Sequence, residues 1–406
     1  MNILFLCGLF PRCYRDEIEK KSIGSIQYAA DTLQWAIVNG LDNYANKLKL
    51  INLPYIGSFP FRYKELKTKS FVFSHNGISI DENVGFLNLS VYKFVSRYLN
   101  SLNHIKKWAS DTRGEKALLV YAFHTPFLKA AYDIKKAFPE VKLCLIIPDL
   151  PHYMNHTSSK IKSFLNKVNF RLQKIYLMKF DSFVVLSKHM VDFLNLNKRP
   201  WICVEGIFDD NSYRNIKILP CRKVSSNNKI IFYSGTIAAR YGILTLLNAF
   251  KKIEKPNYRL WICGDGDTRE IIKREAKTDN RIFYYGQLPR ENVLKLQTEA
   301  TVLINPRAPN DEFTKYSFPS KTMEYFASGT PTIMFNLEGI PEEYFKYCFK
   351  FEGNSATSMA NTIIKICEMD PIELQQIGNR ARNFIINYKN PLHQCRKIYE
   401  LLLTLQ

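Results

Sequence analysis

Short apolar runs alternate along this chain with longer segments in which apolar side chains recur at helical spacing. A strand with no polar alternation is buried on both faces, and a parallel sheet covered by helices provides that burial. The pattern therefore predicts βαβ units. In the first half the strands fall at Asn2–Cys7, Leu48–Leu53, Lys116–Ala122, Lys142–Ile147, Ser182–Leu186 and Trp201–Val204. Helical patterns lie between them near Ile23–Asn39, Ser90–Trp108, Phe127–Ala137 and Ile161–Phe180. A second series places strands at Lys229–Ser234, Tyr258–Cys263, Arg281–Tyr285, Thr301–Ile304 and Thr332–Phe335. Its helices fall near Leu244–Lys252, Thr268–Glu275, Glu291–Glu299, Ser320–Ala327 and Ala356–Met369, and a last helical stretch, Glu373–Leu403, breaks near Pro391.

At 406 residues the chain exceeds one ordinary domain. The polar segment Asp209–Asn228, with Pro220, reads as the boundary. The expected architecture is α/β: two doubly wound, Rossmann-like domains facing an interdomain cleft. Residues 1–208 form the first and 209–388 the second, with 389–406 a helix that packs back on the first. In open sheets of this kind ligands sit beyond the carboxyl ends of the strands.

The formal net charge of +20 favours anionic partners, whether phosphates, nucleic acid or an acidic membrane surface. No nucleic-acid-binding signature accompanies it, so nucleic acid is not expected. The nine cysteines are odd in number, show no C-x-x-C spacing and mostly sit in apolar runs, which predicts reduced, buried thiols in a cytoplasmic protein. Ile3–Cys7 reads as a first strand rather than a signal peptide, because no basic residue precedes it and no small-residue cleavage site follows. No apolar stretch is long enough to span a bilayer.

Four features of the second half sit where strands end. Ile231–Ser234 runs into Gly235-Thr236, then Arg240 and Gly242, and a helix begins near Ile243. Glycines there admit close backbone approach of a ligand, and an arginine adds a charge-assisted contact. Leu260–Cys263 runs into Gly264-Asp265-Gly266-Asp267, which makes room for a base or phosphate or else only a sharp turn. Arg281–Tyr285 runs into Gly286-Gln287-Leu288-Pro289-Arg290, whose backbone suits the edge of a base. The fourth is Tyr316-Ser317-Phe318-Pro319-Ser320-Lys321-Thr322-Met323-Glu324, continuing to Gly329-Thr330-Pro331. Ser320 is placed to cap a helix and Gly329 to end it. Lys321 in the first turn opposes the helix dipole, which an anion there would explain. Glu324 follows on the same face and suits a pair of ribose hydroxyls; the plain alternative is a surface Lys–Glu pair.

In order and spacing these motifs, with Ile304-Asn305-Pro306 between them, resemble the C-terminal domain of the family 4 (group 1) glycosyltransferases, of GT-B fold, over about residues 229–345. The resemblance implies that Arg240 and Lys321 hold a nucleotide-sugar diphosphate and stabilise it as it leaves, and that Glu324 holds the ribose. It implies donor contacts from Gly235, Thr236, Gly264, Gly266, Gly286, Leu288 and Ser320. It implies no cofactor and no metal, and retention of anomeric configuration by front-face attack, the leaving phosphate drawing the acceptor proton. The chain departs from the pattern at Tyr316, where many members carry a first glutamate, at Thr236 in place of an arginine, and at Tyr241 in place of a lysine.

The first half resembles the family less. Gly8, after the first strand, and Gly24, at the predicted start of a helix, are candidates for close approach to donor phosphate or acceptor, or are an ordinary turn and cap. His124 ends a strand where the family often has a histidine that contacts sugar or acceptor, and imidazole accepts a proton near neutrality. Asp149 and His152 project from the Pro148–Pro151 loop toward an acceptor hydroxyl, or Asp149 caps a turn. Lys160–Lys179 has helical apolar spacing at 161, 164, 165, 168, 172, 175 and 176, with Lys and Arg elsewhere and no acid. It either faces the core or lies on an anionic leaflet.

Together with this reading of the residues, the resemblance implies a cytoplasmic retaining hexosyltransferase, peripheral on the inner face of the membrane, that extends a lipid-linked saccharide for a surface polysaccharide. The rival readings are a nucleotide-sugar epimerase of similar fold and a non-catalytic basic protein that binds membrane or nucleic acid.

Overall fold

The computed structural model describes residues 1–150, 160–209, 228–309 and 312–405, with side chains of the 160–177 helix described from Ser163 onward. The boundary segment Asp209–Asn228 lies almost entirely outside the described residues, and His152 lies outside them as well. The chain divides into two units, Met1–Ile207 with Pro391–Gln406, and Phe208–Asn390.

In the first unit the strands are β1 (Asn2–Cys7), β2 (Lys47–Asn52), β3 (Phe71–Phe73), β4 (Asp81–Asn83), β5 (Lys116–Tyr121), β6 (Lys142–Ile147), β7 (Ser182–Val185) and β8 (Trp201–Cys203). They form one sheet in the order β3-β4-β2-β1-β5-β6-β7-β8, parallel except for β3 against β4. The chain reverses direction across the sheet between β1 and β5, the position at which doubly wound sheets bind ligands. β1 and β5 are buried on both faces because helices cover both, as their unbroken apolar runs require. The helices are α1 (Arg15–Lys21), α2 (Tyr28–Leu41), α3 (Ser90–Asp111), α4 (Thr125–Ala137), α5 (Lys160–Leu177) and α6 (His189–Leu194).

In the second unit β9 (Lys229–Ser234), β10 (Tyr258–Cys263), β11 (Ile282–Tyr284), β12 (Val302–Asn305), β13 (Thr332–Met334) and β14 (Phe349–Lys350) form an all-parallel sheet ordered β11-β10-β9-β12-β13-β14. Its switch point lies between β9 and β12. The helices are α7 (Ile243–Lys251), α8 (Arg269–Thr278), α9 (Arg290–Glu299), α10 (Lys321–Ala327), α11 (Ala356–Cys367) and α12 (Pro371–Tyr388). α13 (Pro391–Leu403) belongs to the first unit and packs on α2. A β-carbon on Gly40 would lie 2.4 Å from Sγ of Cys395, so only glycine lets the two helices meet this closely.

Three expectations are corrected. The helix read as Ile23–Asn39 begins only at Tyr28, as α2, and a separate helix, α1, precedes it across a loop. Gly24 has φ +82, which a helix cannot contain, and Ser22 ends α1 in an extended conformation. Ser320 does not cap α10: its backbone is already helical and its side chain makes no capping hydrogen bond. Five of the apolar positions read on α5 do not face the core, while Tyr176 is half-buried against Tyr132. Phe164, Leu165, Val168, Leu172 and Ile175 are exposed, and the helix buries Gln173 and Leu177 instead. Cys7, Cys144 and Cys395 are buried thiols, whereas Cys13 is exposed.

Candidate functional site

At the switch point of the second unit the loops after β9, β10 and β11 are tied together by backbone hydrogen bonds. Gly235 N–H donates to Cys263 O (2.8 Å), Gly264 N–H to Gly286 O (2.8 Å) and Ile237 N–H to Asp265 O (3.0 Å). These contacts need backbone against backbone. A β-carbon on Gly264 would lie 1.7 Å from Gly235 O, and one on Gly266 would lie 2.5 Å from Ile237 O. The room expected for a ligand at Gly264 and Gly266 is therefore taken up by the neighbouring loop. Gly286 adopts φ +66 and faces open space.

Lys321, at the start of α10, lies across Gly235. A β-carbon there would be 2.5 Å from Lys321 Cε and 3.1 Å from its Nζ. Tyr325, one turn further along, fixes α10 in this position: its buried hydroxyl accepts from Ser234 N–H (2.9 Å) and donates to Ser234 O (3.0 Å). Lys321 has no hydrogen-bond or ion-pair partner among the described residues. Burial pushes its pKa below the usual lysine range, with the charge of Glu324 and the thiol of Cys263 pulling the other way. A half-buried cation without a counter-ion is a costly arrangement that an anion would relieve. Glu324 has Arg290 at 3.8 Å.

Arg240 is exposed in the single turn Ala239–Tyr241 that follows the Gly235 loop. Its guanidinium lies 4.9 Å from the ring of Tyr241 and 5.9 Å from that of Phe313. Arg307, just past β12, stacks on Phe313 at 4.2 Å and donates to Ser317 Oγ (2.7 Å). Gly242 (φ +79) lets the two loops touch, since a β-carbon would sit 2.1 Å from Pro306 O. Arg240 and Arg307 thus lie on the segments that follow β9 and β12, and Lys321 reaches the first of them from α10. Thr236 is exposed, with its carbonyl accepting from Tyr233 Oη (2.7 Å). Leu288 packs on the apolar layer with Phe232 and Tyr325, and Ser320 is exposed. Tyr316 is half-buried in the turn Glu312–Tyr316. Sequence reasoning missed Tyr325, Arg290 and Arg307. The signal for Arg307 was its position just after the strand-Asn-Pro end of β12.

In the first unit a cavity of about 410 Å³ opens beyond the carboxyl ends of β1, β5 and β6. His124 and Asp149 both line it. His124 packs edge-on to Tyr55 (5.6 Å between ring centres) and Phe127 (4.9 Å). Its Nε2 is buried and has no partner among the described residues. Burial holds the His124 pKa well below the usual imidazole range, with the positive charges of Arg97 and Lys93 adding to the effect. Asp149 is reached by water, yet the protein around it raises its pKa to about 6. Gly8 makes room for Tyr55 rather than for a ligand. A β-carbon would fall 2.5 Å from that ring, and the Gly8 N–H is taken by Gln34 Oε1 (2.7 Å). Gly24 is exposed in the loop between α1 and α2, whose residues Ser22, Ser25, Ile26 and Gln27 line the cavity.

Two doubly wound, mainly parallel sheets define the GT-B class of fold, and the chain has that fold. Residues 220–384 match the family described as glycosyl transferases group 1. Similar solved structures include sucrose-phosphate synthase from Thermosynechococcus elongatus, at 15% identity and TM-score 0.64 over 100% of this chain and 99% of that one. HepE of Anabaena in complex with UDP has 14% identity and TM-score 0.61, with both chains fully covered. Trehalose 6-phosphate synthase from Burkholderia multivorans has 11% identity and TM-score 0.63 over 99% of this chain and 96% of that one. No curated protein matches the sequence.

Proposed function

We propose that the protein is a retaining hexosyltransferase that moves a sugar from a nucleotide-diphosphate donor to a lipid-linked saccharide at an acidic membrane surface, in the assembly of a surface polysaccharide. The observation that carries this reading is Lys321 lying over Gly235 without a counter-ion, with Glu324 following it on the same helix. In this reading Lys321 and Arg240 hold the diphosphate and stabilise the charge that develops as it leaves, so no metal is required. Glu324 accepts from the ribose hydroxyls. Gly286, which faces open space, leaves its loop backbone accessible to the base. Retention is the family's chemistry, carried over with the motif around Lys321 and Glu324; His124 and Asp149 then position the acceptor rather than attack the sugar. The membrane part of the reading is supported by α5, whose exposed apolar side chains are interleaved with Lys167, Arg171 and Lys174 and with no acid. No helix among the described residues is long and apolar enough to cross a membrane.

The test is a thermal-shift screen of the purified protein, in EDTA, against UDP-, GDP-, ADP- and dTDP-sugars. A ligand that binds only the folded state raises the melting temperature. One of the four donors is expected to give a saturable rise; no rise with any of them contradicts the reading. UDP-sugars come first, because HepE was solved with UDP.

A further inference from the structure

Two cations enter the first-unit cavity from the buried side of α3. Lys93 and Arg97 are four residues apart, so they lie on one face of the helix, and they are only 8% and 2% exposed. Both line the cavity. Their hydrogen bonds go to neutral carbonyl oxygens: Lys93 Nζ to Ile56 O, and Arg97 Nη2 to Leu53 O and Pro54 O. Arg97 Nε has no partner among the described residues. Burial first, and then the like charge of Arg97, lower the Lys93 pKa to about 7. Burying an ammonium and a guanidinium side by side with no carboxylate against them costs several kcal/mol by the usual accounting of about that size per unpaired ion.

Anchoring the Leu53–Ile56 backbone does not require this cost, since neutral donors bond carbonyl oxygens as well. The rest of the wall has the character of a saccharide site. Phe94, Tyr55 and Phe123 offer apolar faces, and among the described residues His124 Nε2 is buried without a partner and Arg62 adds a third positive charge against the one lining carboxylate, Asp149. The volume falls in the range of about 300–1,000 Å³ seen for small-molecule sites.

We propose that this cavity binds the acceptor through an oxyanion carried on the saccharide, a phosphate or a carboxylate, held by Lys93 and Arg97 with His124 Nε2 bonded to a neighbouring sugar oxygen. The enzyme is thus selective for a charged acceptor. The inference rests on the reading that the first unit receives the acceptor.

The test titrates the full chain with glucose 6-phosphate, glucuronate, glucose and inorganic phosphate by calorimetry. At least one of the two anionic sugars should bind ten times more tightly than glucose, and more tightly than phosphate alone. In Lys93→Met that preference should fall at least tenfold, with a melting temperature no lower than that of the parent. Glucose binding as well as both anionic sugars overturns the proposal. So does a Lys93→Met protein that keeps the preference, and so does phosphate alone matching glucose 6-phosphate. If Lys93→Met does not fold, Lys93→Gln carries the same test. Nucleotide binding by the unaltered protein, measured alongside, tests the donor site separately, so the failure of one reading is not mistaken for failure of the other.

Discussion

A β-carbon on Gly235 would lie 2.5 Å from Cε of Lys321, so the glycine at the end of β9 is what lets the lysine lie across it. The clash is with the far end of a flexible side chain, not with backbone. Gly235→Ala should therefore fold, with a loss of about 1 kcal/mol because φ is +154, and should weaken nucleotide binding about tenfold or more by displacing Lys321. Gly264→Ala is the contrast. Its β-carbon would meet backbone at 1.7 Å, so it should lose stability first. Melting curves and nucleotide titrations of the two variants separate these outcomes.

Glu324→Ala should raise the KM for the donor at least tenfold, about 1.4 kcal/mol, with a smaller effect on affinity for the free acceptor. Glu324→Gln keeps a hydrogen-bonding group and should fall between the two. Equal kinetics in all three proteins would remove Glu324 from the ribose.

Both sheets were legible in the sequence because buried parallel strands are unbroken apolar runs; β1, β6, β9 and β10 begin and end where those runs do. The strands β3, β4 and β14 were not, because they are two or three residues long, and β4 is Asp-Glu-Asn, a polar triplet with no strand signal of its own. The order of glycine-ended strands pointed to the donor loops, but not to which glycines face ligand and which face backbone. That depends on how neighbouring loops stack, and periodicity carries no trace of it. The buried pair Lys93 and Arg97 was hidden for a related reason. On the first half of α3 the apolar Val91, Tyr92, Val95 and Leu99 point outward while the cations point inward, so reading apolar as buried assigns the wrong face.

Lys93 gives a pH dependence with a definite sign. Its pKa is lowered to about 7 from the usual 10.5, so between those values the unfolded chain holds a proton that the folded one does not. Stability from this group then rises with pH across that window and is lowest below about 7. Lys93→Met removes the dependence. Its melting temperature should exceed that of the parent near pH 6.5 and approach it near pH 10. A difference that does not change with pH would contradict the burial of a charged Lys93.

The outward stripe of α5 makes a prediction about membranes. Replacing Leu165 and Leu172 together by Glu should cut binding to phosphatidylglycerol vesicles at least tenfold, since each removes apolar contact and adds repulsion. Binding of the parent to phosphatidylcholine vesicles should be weak. Sedimentation with vesicles measures both, and equal binding of parent and variant would remove α5 from any lipid contact.

The most direct measurement is nucleotide-sugar affinity and transfer rate in Lys321→Ala against the parent, using the donor that gives the largest thermal shift. If Lys321 holds the diphosphate, the variant folds with a melting temperature in buffer alone no lower than that of the parent, loses at least tenfold in donor affinity, and loses more than that in kcat/KM, because the charge it meets grows as the bond breaks. A folded Lys321→Ala protein that binds and turns over the donor as the parent does would contradict the account.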